Sequence, residues 1–441
     1  MVKLSGTISQ FRKINALVAG DFMVDKYTYG KIDRISPEAP VPVLNILKEE
    51  YKAGGAGNVL LNLMSLGANV TALGRVGDDI TSQILINSFK SANVDTNYLF
   101  LQKSFKTPLK NRFLVENHQL LRVDDELIIE NTNELEKNIF LNFENILKNI
   151  DVITISDYGK GFLSKSLLSS LIFFANNKNI PVIVDPKGND FSKYRDAFLI
   201  KPNLKEAYTA ANLNLNEDLT LVAKKLLDQT KAKYLMITRS EKGVSLFYED
   251  VRNDFKVVSK DVKDVTGAGD SVLAMMSFSI ANKIDVNTAC QLSNIIASIA
   301  IEQVGCSQVN MEQFIKRLVE QDGESKIFDI EHIDVLKKIL VDKPFSLLAL
   351  RTNKMSNLLF KTIKNMSKKN FLIIYLVHDN VDDDFIEILL SLDEVNFIIL
   401  DSENLKKVCI EIHPKNILLL DDDKLTEIEH FDVFEEHLLQ K

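Results

Sequence analysis

The chain has 441 residues, of which 46% are hydrophobic and 26% are charged, and its net charge at pH 7 is −8. Nucleic acids and anionic membranes are bound by basic surfaces, so this balance argues against both as partners. The N-terminal stretch lacks the apolar core of a secretory signal, and no apolar run approaches the ~20 residues of a membrane helix. Three scattered cysteines predict neither disulfides nor a zinc site. We therefore expect a cytoplasmic protein.

Short apolar segments rich in β-branched residues alternate with helical patterns, such as 163–177 and 219–229. The predicted strands are residues 14–20, 69–77, 151–157, 181–186, 197–203 and 234–240. This alternation predicts an α/β fold with a doubly wound, mostly parallel sheet. Several strands end in a polar residue, and ligands of such sheets bind beyond the carboxyl ends of the strands. The sequence therefore predicts a ligand site at that edge.

Two segments break this rhythm. Residues 33–46 carry three prolines among apolar residues, and because proline cannot donate to a sheet ladder they predict an edge or flap strand. Residues 109–123 predict a hairpin around Glu116 and Asn117. We expect a small β lid with strands at about 30–48 and 109–123.

The character of the chain changes after about residue 325. Residues 1–325 form the predicted first domain, and 326–344 predict a helix plus linker. A second, shorter strand–helix alternation then predicts a small Rossmann-like α/β domain over 345–441.

The segment 264–270 contains two glycines and precedes an apolar, helix-compatible stretch. A tight turn that opens a helix creates an anion site from backbone amides. Asp270 would accept a proton from a hydroxyl there, while the backbone of Gly267, Ala268 and Gly269 stabilises a transferring phosphoryl group. The same residues are typical of a glycine-rich turn with Asp as the helix cap. The segment alone leaves both interpretations open.

A second glycine-rich stretch, with Gly54, Gly55 and Asn58, also opens a predicted helix. Clustered glycines let a small polar ligand lie against the backbone, and an asparagine amide both donates and accepts hydrogen bonds, as sugar hydroxyls require. A simple tight turn is the alternative.

Asn203 and Glu206 follow a predicted strand and face the same way at a helix start. They could hold a magnesium–phosphate group through water, because magnesium keeps most of its water ligands. A capping box, in which the glutamate bonds back to the cap residue, is the alternative.

Two predicted strands end in Asp followed closely by a lysine, Lys160 in one case and Lys187 in the other. Lysines in matching strand-end positions could neutralise a substrate phosphate, although a lone lysine is usually a solvated surface group. Asp21 and Asp25 are candidate acceptors for sugar hydroxyls. No Walker-type loop is present, and His118 is the one histidine before residue 330, which argues against P-loop and histidine-based chemistry.

These motifs together resemble the ribokinase-like, phosphofructokinase-B type carbohydrate kinase family. GGAGN at 54–58 and DVTGAGDS at 264–271 are similar to the two glycine-rich signatures of that family, and 203–206 to its asparagine–glutamate element. Further segments, including AGDFMVDKYTYG, RISPEAPVPV, SDYGKG and VDPKG, resemble the kinase half of the bifunctional heptose enzymes of lipopolysaccharide synthesis. The likeness covers roughly residues 10–315.

The resemblance implies ATP-dependent phosphorylation of D-glycero-β-D-manno-heptose 7-phosphate at its anomeric hydroxyl, with Mg²⁺ held mainly through ATP phosphates and water. It implies Asp270 as general base and 267–269 as anion hole. The residues implied along ATP are Asn203, Leu204, Lys205, Glu206, Arg239, Ser240, Gly243 and Asn294. The residues implied or proposed for the sugar phosphate are Asp21, Asp25, Gly54, Gly55, Asn58, Lys160 and Lys187. The lid is expected to close over the sugar and to pair with a second subunit in a homodimer.

The tail resembles the adenylyltransferase half of the same enzymes but lacks its His-x-Gly-His element. Residues 345–441 therefore predict a degenerate nucleotidyltransferase-like domain. Two alternatives remain: a kinase for another sugar or sugar phosphate of the family, and a non-catalytic regulatory protein on a kinase fold.

Overall fold

The computed structural model describes two compact units, Arg12–Met311 and a second that begins at Glu312. The described residues are 10–116, 118–257, 262–303, 305, 308–321, 327–329, 333, 336, 337, 340, 343–368, 370–377, 382–400, 405–421 and 424–428. The centre of the predicted hairpin at Asn117 and much of the predicted linker lie outside the described residues.

The first unit is built on a nine-stranded sheet. Its strands are β1 (Asn15–Gly20), β4 (Asn69–Val76), β5 (Asp95–Leu101), β8 (Val152–Ser156), β9 (Val182–Asp185), β10 (Leu199–Ile200), β11 (Tyr234–Thr238), β12 (Val244–Tyr248) and β13 (Val251–Phe255). Their order is β13-β12-β11-β10-β9-β8-β1-β4-β5. Pairing is parallel from β11 to β5, and β12 and β13 add an antiparallel edge. The predicted mostly parallel sheet is confirmed.

Helices connect these strands. They are α1 (Ala56–Ser65), α2 (Ile80–Ser91), α3 (Asn133–Ile146), α4 (Lys165–Asn177), α5 (Leu204–Ala211), α6 (Leu219–Thr230), α7 (Ala268–Ala281) and α8 (Val286–Ala300). The next helix, α9 (Met311–Gln321), begins at the last residue of this unit and otherwise belongs to the second. Helix α4 shows how the sequence specifies them, because the Ser164 hydroxyl accepts from the Leu167 N–H at its start and Leu167, Leu168 and Leu171 lie buried on one face. Among the described residues, no helix is long and apolar enough to cross a membrane.

The centre of this sheet is fully buried, which explains its apolar sequence. Strands β1, β8 and β9 contribute side chains such as Leu17, Ile153 and Val184 to one core cluster with residues of α3, α4 and α6. Parallel strands covered on both faces are mostly apolar, and the polar residues of a ligand site lie where the strands end. The carboxyl ends of β1, β8, β9, β10 and β11 therefore form a polar edge.

A separate four-stranded sheet forms the lid, in the order β3-β2-β6-β7. Its strands are β2 (Phe22–Ile35), β3 (Pro42–Gly55), β6 (Leu109–Val115) and β7 (His118–Asp125). The lid is larger than predicted. Residues 33–46 contain the end of β2, a turn at 36–41 and the start of β3, where one strand was predicted. Pro37 and Pro40 lie in that turn, while Pro42 takes the first position of edge strand β3, where the ladder tolerates a missing N–H.

The second unit contains a six-stranded sheet in the order β14-β17-β16-β15-β18-β19. The strands are β14 (Ile327–Asp329), β15 (Phe345–Leu350), β16 (Phe371–Leu376), β17 (Phe397–Leu400), β18 (Asn416–Asp421) and β19 (Lys424–Glu427). The helices are α10 (Asn357–Ser367), α11 (Asp383–Leu390) and α12 (Leu405–Ile412). All pairs are parallel except β18–β19, as a Rossmann-like α/β domain requires. Residues 327–329, predicted as linker, are a strand of this sheet.

Candidate active site

Asp270 lies at the centre of the polar edge, in the first turn of α7, and is only 5% exposed. The Asn58 side-chain amide donates to one carboxylate oxygen at 2.7 Å, and the Tyr158 hydroxyl donates to the other at 2.9 Å. Three segments that are distant in sequence, at the starts of α1 and α7 and after β8, therefore meet at one carboxylate. The predicted alternative, Asp270 as helix cap, is wrong, because the N-cap is Gly267 and both Asp270 oxygens point to other elements.

Burial raises the pKa of Asp270 from its ordinary value of 3.8 to about 6. The nearby Asp185 carboxylate raises the pKa further, whereas the hydrogen bonds from Asn58 and Tyr158 and the charge of Lys201 lower it. A carboxylate of this pKa is ionised at neutral pH and more basic than an exposed aspartate. It is suited to accept a proton from a hydroxyl.

The turn before α7 is held by Asp264. Its carboxylate accepts from the backbone N–H of Thr266 at 2.9 Å and of Gly305 at 2.8 Å. Gly267 has φ of 80°, a left-handed conformation that glycine adopts without strain. The turn therefore places the start of α7 next to Asp270. The Ala268 N–H donates to the Val265 carbonyl at 3.3 Å and the Asp270 N–H to the Gly267 carbonyl at 3.1 Å, and a helix start of this kind favours an anion.

A polar cavity of about 220 Å³ opens beside Asp270. It is lined by Asp157, Tyr158, Asp185, Pro186, Lys187, Lys201, Asn203, Glu206, Thr238, Gly267, Gly269 and Asp270. Inside it, the buried Lys201 ammonium lies 3.0 Å from Asp185. An ammonium group and the helix amides at one cavity make it suitable for phosphate groups.

A second cavity of about 450 Å³ has largely aliphatic walls, including Val244, Val265 and Ile301. Of the residues predicted along a nucleotide, Ser240, Gly243 and Asn294 line it. Three residues line both this cavity and the polar one, namely Asn203, Thr238 and Gly269. An apolar compartment that continues into a polar one matches a purine base followed by its phosphates.

Arg239 lies outside both cavities, unlike Ser240, Gly243 and Asn294. Its guanidinium donates to the Lys242 carbonyl at 3.2 Å and lies 3.5 Å from Asp254, and it lines neither cavity. Its backbone N–H donates to the Gly243 carbonyl at 2.8 Å. The contribution of Arg239 is therefore to shape the turn that leads to Gly243.

Of the two interpretations of 203–206, the capping box is confirmed, and the magnesium–phosphate role stays a prediction. The Asn203 side chain accepts from the Glu206 N–H at 2.9 Å, and Glu206 accepts from the Asn203 N–H at 3.0 Å, which is a capping box. The same two residues line the polar cavity, and the second Glu206 oxygen accepts from Lys187 at 2.9 Å. Leu204 and Lys205 line neither cavity.

Asp21 is buried at the end of β1 and accepts from the backbone N–H groups of Tyr158 and Lys160, both at 3.0 Å. Burial raises its pKa, and the charge of Asp157 raises it further. Its own carbonyl accepts from the Ala56 N–H at 3.1 Å. Asp21 thus joins the loop after β8 to the start of α1, where Asn58 meets Asp270.

Asp25 and the two predicted glycines lie where the lid leaves the main sheet. Asp25 forms a nearly buried ion pair with Arg112 of β6. A Cβ on Gly54 would stand 2.2 Å from an Asp25 oxygen, so only glycine fits there. Gly55 has φ of 57° and is the N-cap of α1.

The two predicted lysines are directed to different places. The Lys160 ammonium lies 2.5 Å from Glu126, just past the end of lid strand β7. The Lys187 ammonium pairs with Glu206 and lines the polar cavity.

Several residues of the site were missed by sequence reasoning. Tyr158 and Lys201 follow strands β8 and β10, and the strand-end rule that singled out Asp21 could have found them. The strand-end rule does not apply to Arg75, because this residue lies within β4. It is nearly fully buried, and Nη2 donates to the carbonyls of Ile129 at 2.5 Å and Lys160 at 2.8 Å.

Comparison with known proteins relates the first unit to a large family. The family model described as pfkB family carbohydrate kinase matches residues 16–313. The bifunctional protein HldE of Campylobacter jejuni is 42% identical over 329 residues, which are 74% of this chain and 69% of that protein. The bifunctional protein HldE of Geobacter sulfurreducens is 39% identical over 332 residues, covering 74% and 67% respectively.

Solved structures share the fold at lower identity. Arabidopsis thaliana ribokinase, in complex with ribose and ATP, has a TM-score of 0.56 and 16% identity, and the match covers 70% of this chain and 99% of that chain. Escherichia coli phosphofructokinase-2, in complex with substrates and products, has a TM-score of 0.58 and 20% identity with the same coverage. Both matches establish the ribokinase-like fold.

Proposed function

The chain belongs to the pfkB family of carbohydrate kinases, and we propose that it phosphorylates D-glycero-β-D-manno-heptose 7-phosphate at the anomeric hydroxyl, using ATP. The observation that carries the chemistry is the buried Asp270 between Asn58 and Tyr158, beside the first turn of α7. The heptose assignment is supported by the identity to HldE proteins over the kinase unit and by the segments that resemble bifunctional heptose enzymes. Family membership argues against a non-catalytic regulatory protein.

In this proposal Asp270 accepts the proton of the anomeric hydroxyl as its oxygen bonds to the γ-phosphorus of ATP. The bond between that phosphorus and the ADP oxygen breaks in the same transfer. The hydrogen bonds from Asn58 and Tyr158 fix the carboxylate toward the incoming hydroxyl. The backbone of 267–269 stabilises the negative charge on the transferring group.

ATP fits the pair of connected cavities. The aliphatic compartment would take the adenine, and the polar cavity would take the phosphates next to Lys201, Asn203 and Glu206. Among the described residues, no group of three or more His, Cys, Asp or Glu side chains could hold a metal by itself. Mg²⁺ is therefore proposed to be held mainly through the ATP phosphates and water, which is the usual arrangement for this ion.

The sugar phosphate would lie between this edge and the lid. Asn58 and Asp25 are proposed for its hydroxyls, Gly54 and Gly55 for its approach to the backbone, and Asp21 for positioning the loop after β8. Lys160 is proposed for the phosphate of the sugar. Lys187 pairs with Glu206 in the polar cavity, so we propose that it contacts the phosphates of ATP and not the phosphate of the sugar.

A substrate panel tests the proposed reaction. We expect ATP-dependent turnover of heptose 7-phosphate with a kcat/KM well above that for fructose 6-phosphate, ribose and unphosphorylated heptose, measured by coupled ADP release. Formation of the 1-phosphate is checked by ³¹P NMR. Higher kcat/KM for another sugar of the panel would support the alternative, a family kinase with a different acceptor.

The second unit is proposed to be a nucleotidyltransferase-like domain without adenylyltransferase activity. Its strand order reverses between β15 and β18, which is where such sheets bind ligands. At the carboxyl ends of these two strands, Arg351 and Asp421 form an ion pair at 3.2 Å. The residues after β15 also lack the histidine element of the active relatives.

We expect no ADP-heptose when the full chain is given heptose 1-phosphate and ATP, with an active bifunctional HldE protein as positive control. The readout is pyrophosphate release together with chromatography of the sugar nucleotide. Clear ATP-dependent turnover would overturn the proposed loss.

The lid is proposed to form a homodimer. Strand β3 is an edge strand, and its Ile46 and Leu47 are 56% and 73% exposed. An exposed apolar edge strand is a surface that folded proteins normally cover. The double variant Ile46→Glu, Leu47→Glu is expected to sediment as a monomer where the unmodified chain sediments as a dimer. The control Leu141→Glu, at an equally exposed position on α3, should leave the dimer intact.

A further inference from the structure

Lys110 of lid strand β6 stands out among the cations around the site. It is half-buried, and its ammonium lies 5.5 Å from the centroid of the Tyr158 ring. Within the part of the chain that the structure describes, this ammonium forms no ion pair. A half-buried ammonium without a bound anion is unfavourable, because burial removes part of its hydration.

Five neighbouring cations are each paired with a carboxylate. The pairs are Lys160 with Glu126 at 2.5 Å, Lys187 with Glu206 at 2.9 Å, Lys193 with Asp157 at 2.7 Å, Lys201 with Asp185 at 3.0 Å, and Arg112 with Asp25. Of the described cations around the site, these five have a carboxylate partner, whereas the Arg75 guanidinium donates to Gln102 and two backbone carbonyls and the Lys110 ammonium faces the Tyr158 ring.

The surroundings of Lys110 are arranged for an additional anion. Lys110 is directly opposite Asp25 on β2 and Asp124 on β7, and residues opposite each other share one face of a sheet. Both aspartates already bind arginines of the lid, since Arg112 pairs with Asp25 and Arg122 donates to Asp124 at 2.9 Å. Burial lowers the pKa of Lys110, the charges of Asp25, Glu126 and Asp124 raise it, and the like charge of Lys160 lowers it. The ammonium groups of Lys110 and Lys160 are therefore close enough for their positive charges to add at one place.

The position of Lys110 relative to the base matches a sugar. The Tyr158 hydroxyl bonds to Asp270, while the face of the same ring lies below Lys110. One phenol ring thus separates the reacting end of the site from the Lys110 end. A six-membered sugar ring has a similar length, so a sugar with its reacting hydroxyl at Asp270 extends toward Lys110.

We propose that Lys110, together with Lys160, binds the phosphate group of the sugar substrate and makes the kinase selective for phosphorylated over unphosphorylated sugars. The inference rests on the proposed function, which supplies the phosphorylated acceptor. Glu126 offsets the charge of Lys160, and in this proposal the bound phosphate takes over that role for both lysines. Because Lys110 belongs to the lid, the phosphate also connects the lid to the loop after β8.

The test compares Lys110→Met, Lys110→Arg and Lys160→Met with the control Lys106→Met. Lys106 precedes the same lid strand, pairs with Asp125 at 2.5 Å and is half exposed, so its removal takes one lysine from the lid outside the site. Steady-state kinetics is measured for ATP, for the sugar phosphate that the unmodified enzyme prefers, and for the same sugar without phosphate.

We expect Lys110→Met to raise the KM for the sugar phosphate about 10- to 100-fold, the value of a lost hydrogen bond between charged groups. The KM for ATP and the kinetics with the unphosphorylated sugar should stay unchanged, Lys110→Arg should restore most of the affinity, and Lys106→Met should behave as the unmodified enzyme. An equal loss for both forms of the sugar, or no loss, would overturn the proposal.

The outcomes also separate this inference from the heptose assignment. If the preferred substrate is a different sugar phosphate, the heptose assignment fails and the two lysines are tested on that substrate. If the unmodified enzyme prefers unphosphorylated sugars, the phosphate role of Lys110 and Lys160 fails as well.

Discussion

The Asp270→Asn variant is expected to lose about 10²- to 10⁴-fold in kcat, the typical contribution of a positioned general base. Asparagine keeps the size of the side chain and can still accept from Asn58 or Tyr158, so the fold around it should persist. ATP binding should change little, since the aliphatic compartment does not include Asp270. The measurements are phosphoryl transfer by coupled assay and the Kd of ATP by calorimetry.

Asp228→Asn, on the exposed surface of α6, is the matched control and should have normal kcat. The pH profile gives a second readout. Because burial raises the pKa of Asp270 to about 6, the carboxylate is protonated below that pH and cannot accept a proton. The value of kcat/KM should therefore fall about tenfold per pH unit well below pH 6. Near-normal turnover of Asp270→Asn would remove Asp270 from the role of base.

The sequence was sufficient for the main sheet and for the centre of the site. Fully buried parallel strands are apolar along their length, so strands β1, β8 and β9 stand out, and the polar residues at their ends mark the ligand edge. The glycines before α7 were equally informative. Few residues other than glycine adopt the left-handed conformation that Gly267 has, so a glycine there indicates a tight turn before the helix. Contacts between residues distant in sequence could not be predicted. No local sequence pattern indicates that Tyr158 donates to Asp270 or that Lys160 and Lys187 pair with different glutamates.

The lid and the capping box show two other limits. The prolines of 33–46 correctly indicated an edge, but whether a proline lies in a turn or at the first position of a strand depends on the partner strand. For Asn203 and Glu206 the structural and functional interpretations were treated as alternatives, although the side chains that form the capping box also line the polar cavity, so the two do not exclude each other. A helix start that is capped by its own side chains can still present those side chains to a cavity.

Arg75→Met is expected to lower the free energy of unfolding of the kinase unit by about 3–5 kcal/mol. Burial lowers the pKa of Arg75 to about 10, while the charge of Asp21 raises it, so the guanidinium is charged at neutral pH. It donates to Gln102 at 3.0 Å and to the carbonyls of Ile129 and Lys160. Methionine fills much of the volume but leaves the buried Gln102 oxygen and the two partly buried carbonyls without these donors, and a fully buried acceptor left unpaired costs about 1–3 kcal/mol.

Urea unfolding measures this change in free energy. The transition of the kinase unit is identified as the one that moves to higher urea concentration when ATP is added, because ATP stabilises the unit that binds it. The control is Arg122→Met on β7. Arg122 is half exposed and pairs with Asp124, so its loss should change the free energy by no more than about 1 kcal/mol. Equal effects of the two substitutions would contradict the role of the buried contacts.

Arg75 also connects stability with substrate binding. Ile129 follows the last lid strand, whereas Lys160 belongs to the loop that Asp21 holds beside Tyr158. Arg75 therefore joins the exit from the lid to the loop that carries a proposed phosphate ligand. If this connection positions Lys160, Arg75→Met raises the KM for the sugar phosphate at temperatures where the variant is fully folded, with the KM for ATP unchanged. A loss of stability with both KM values unchanged would restrict Arg75 to a structural role, because the loop would then hold its position through Asp21 alone.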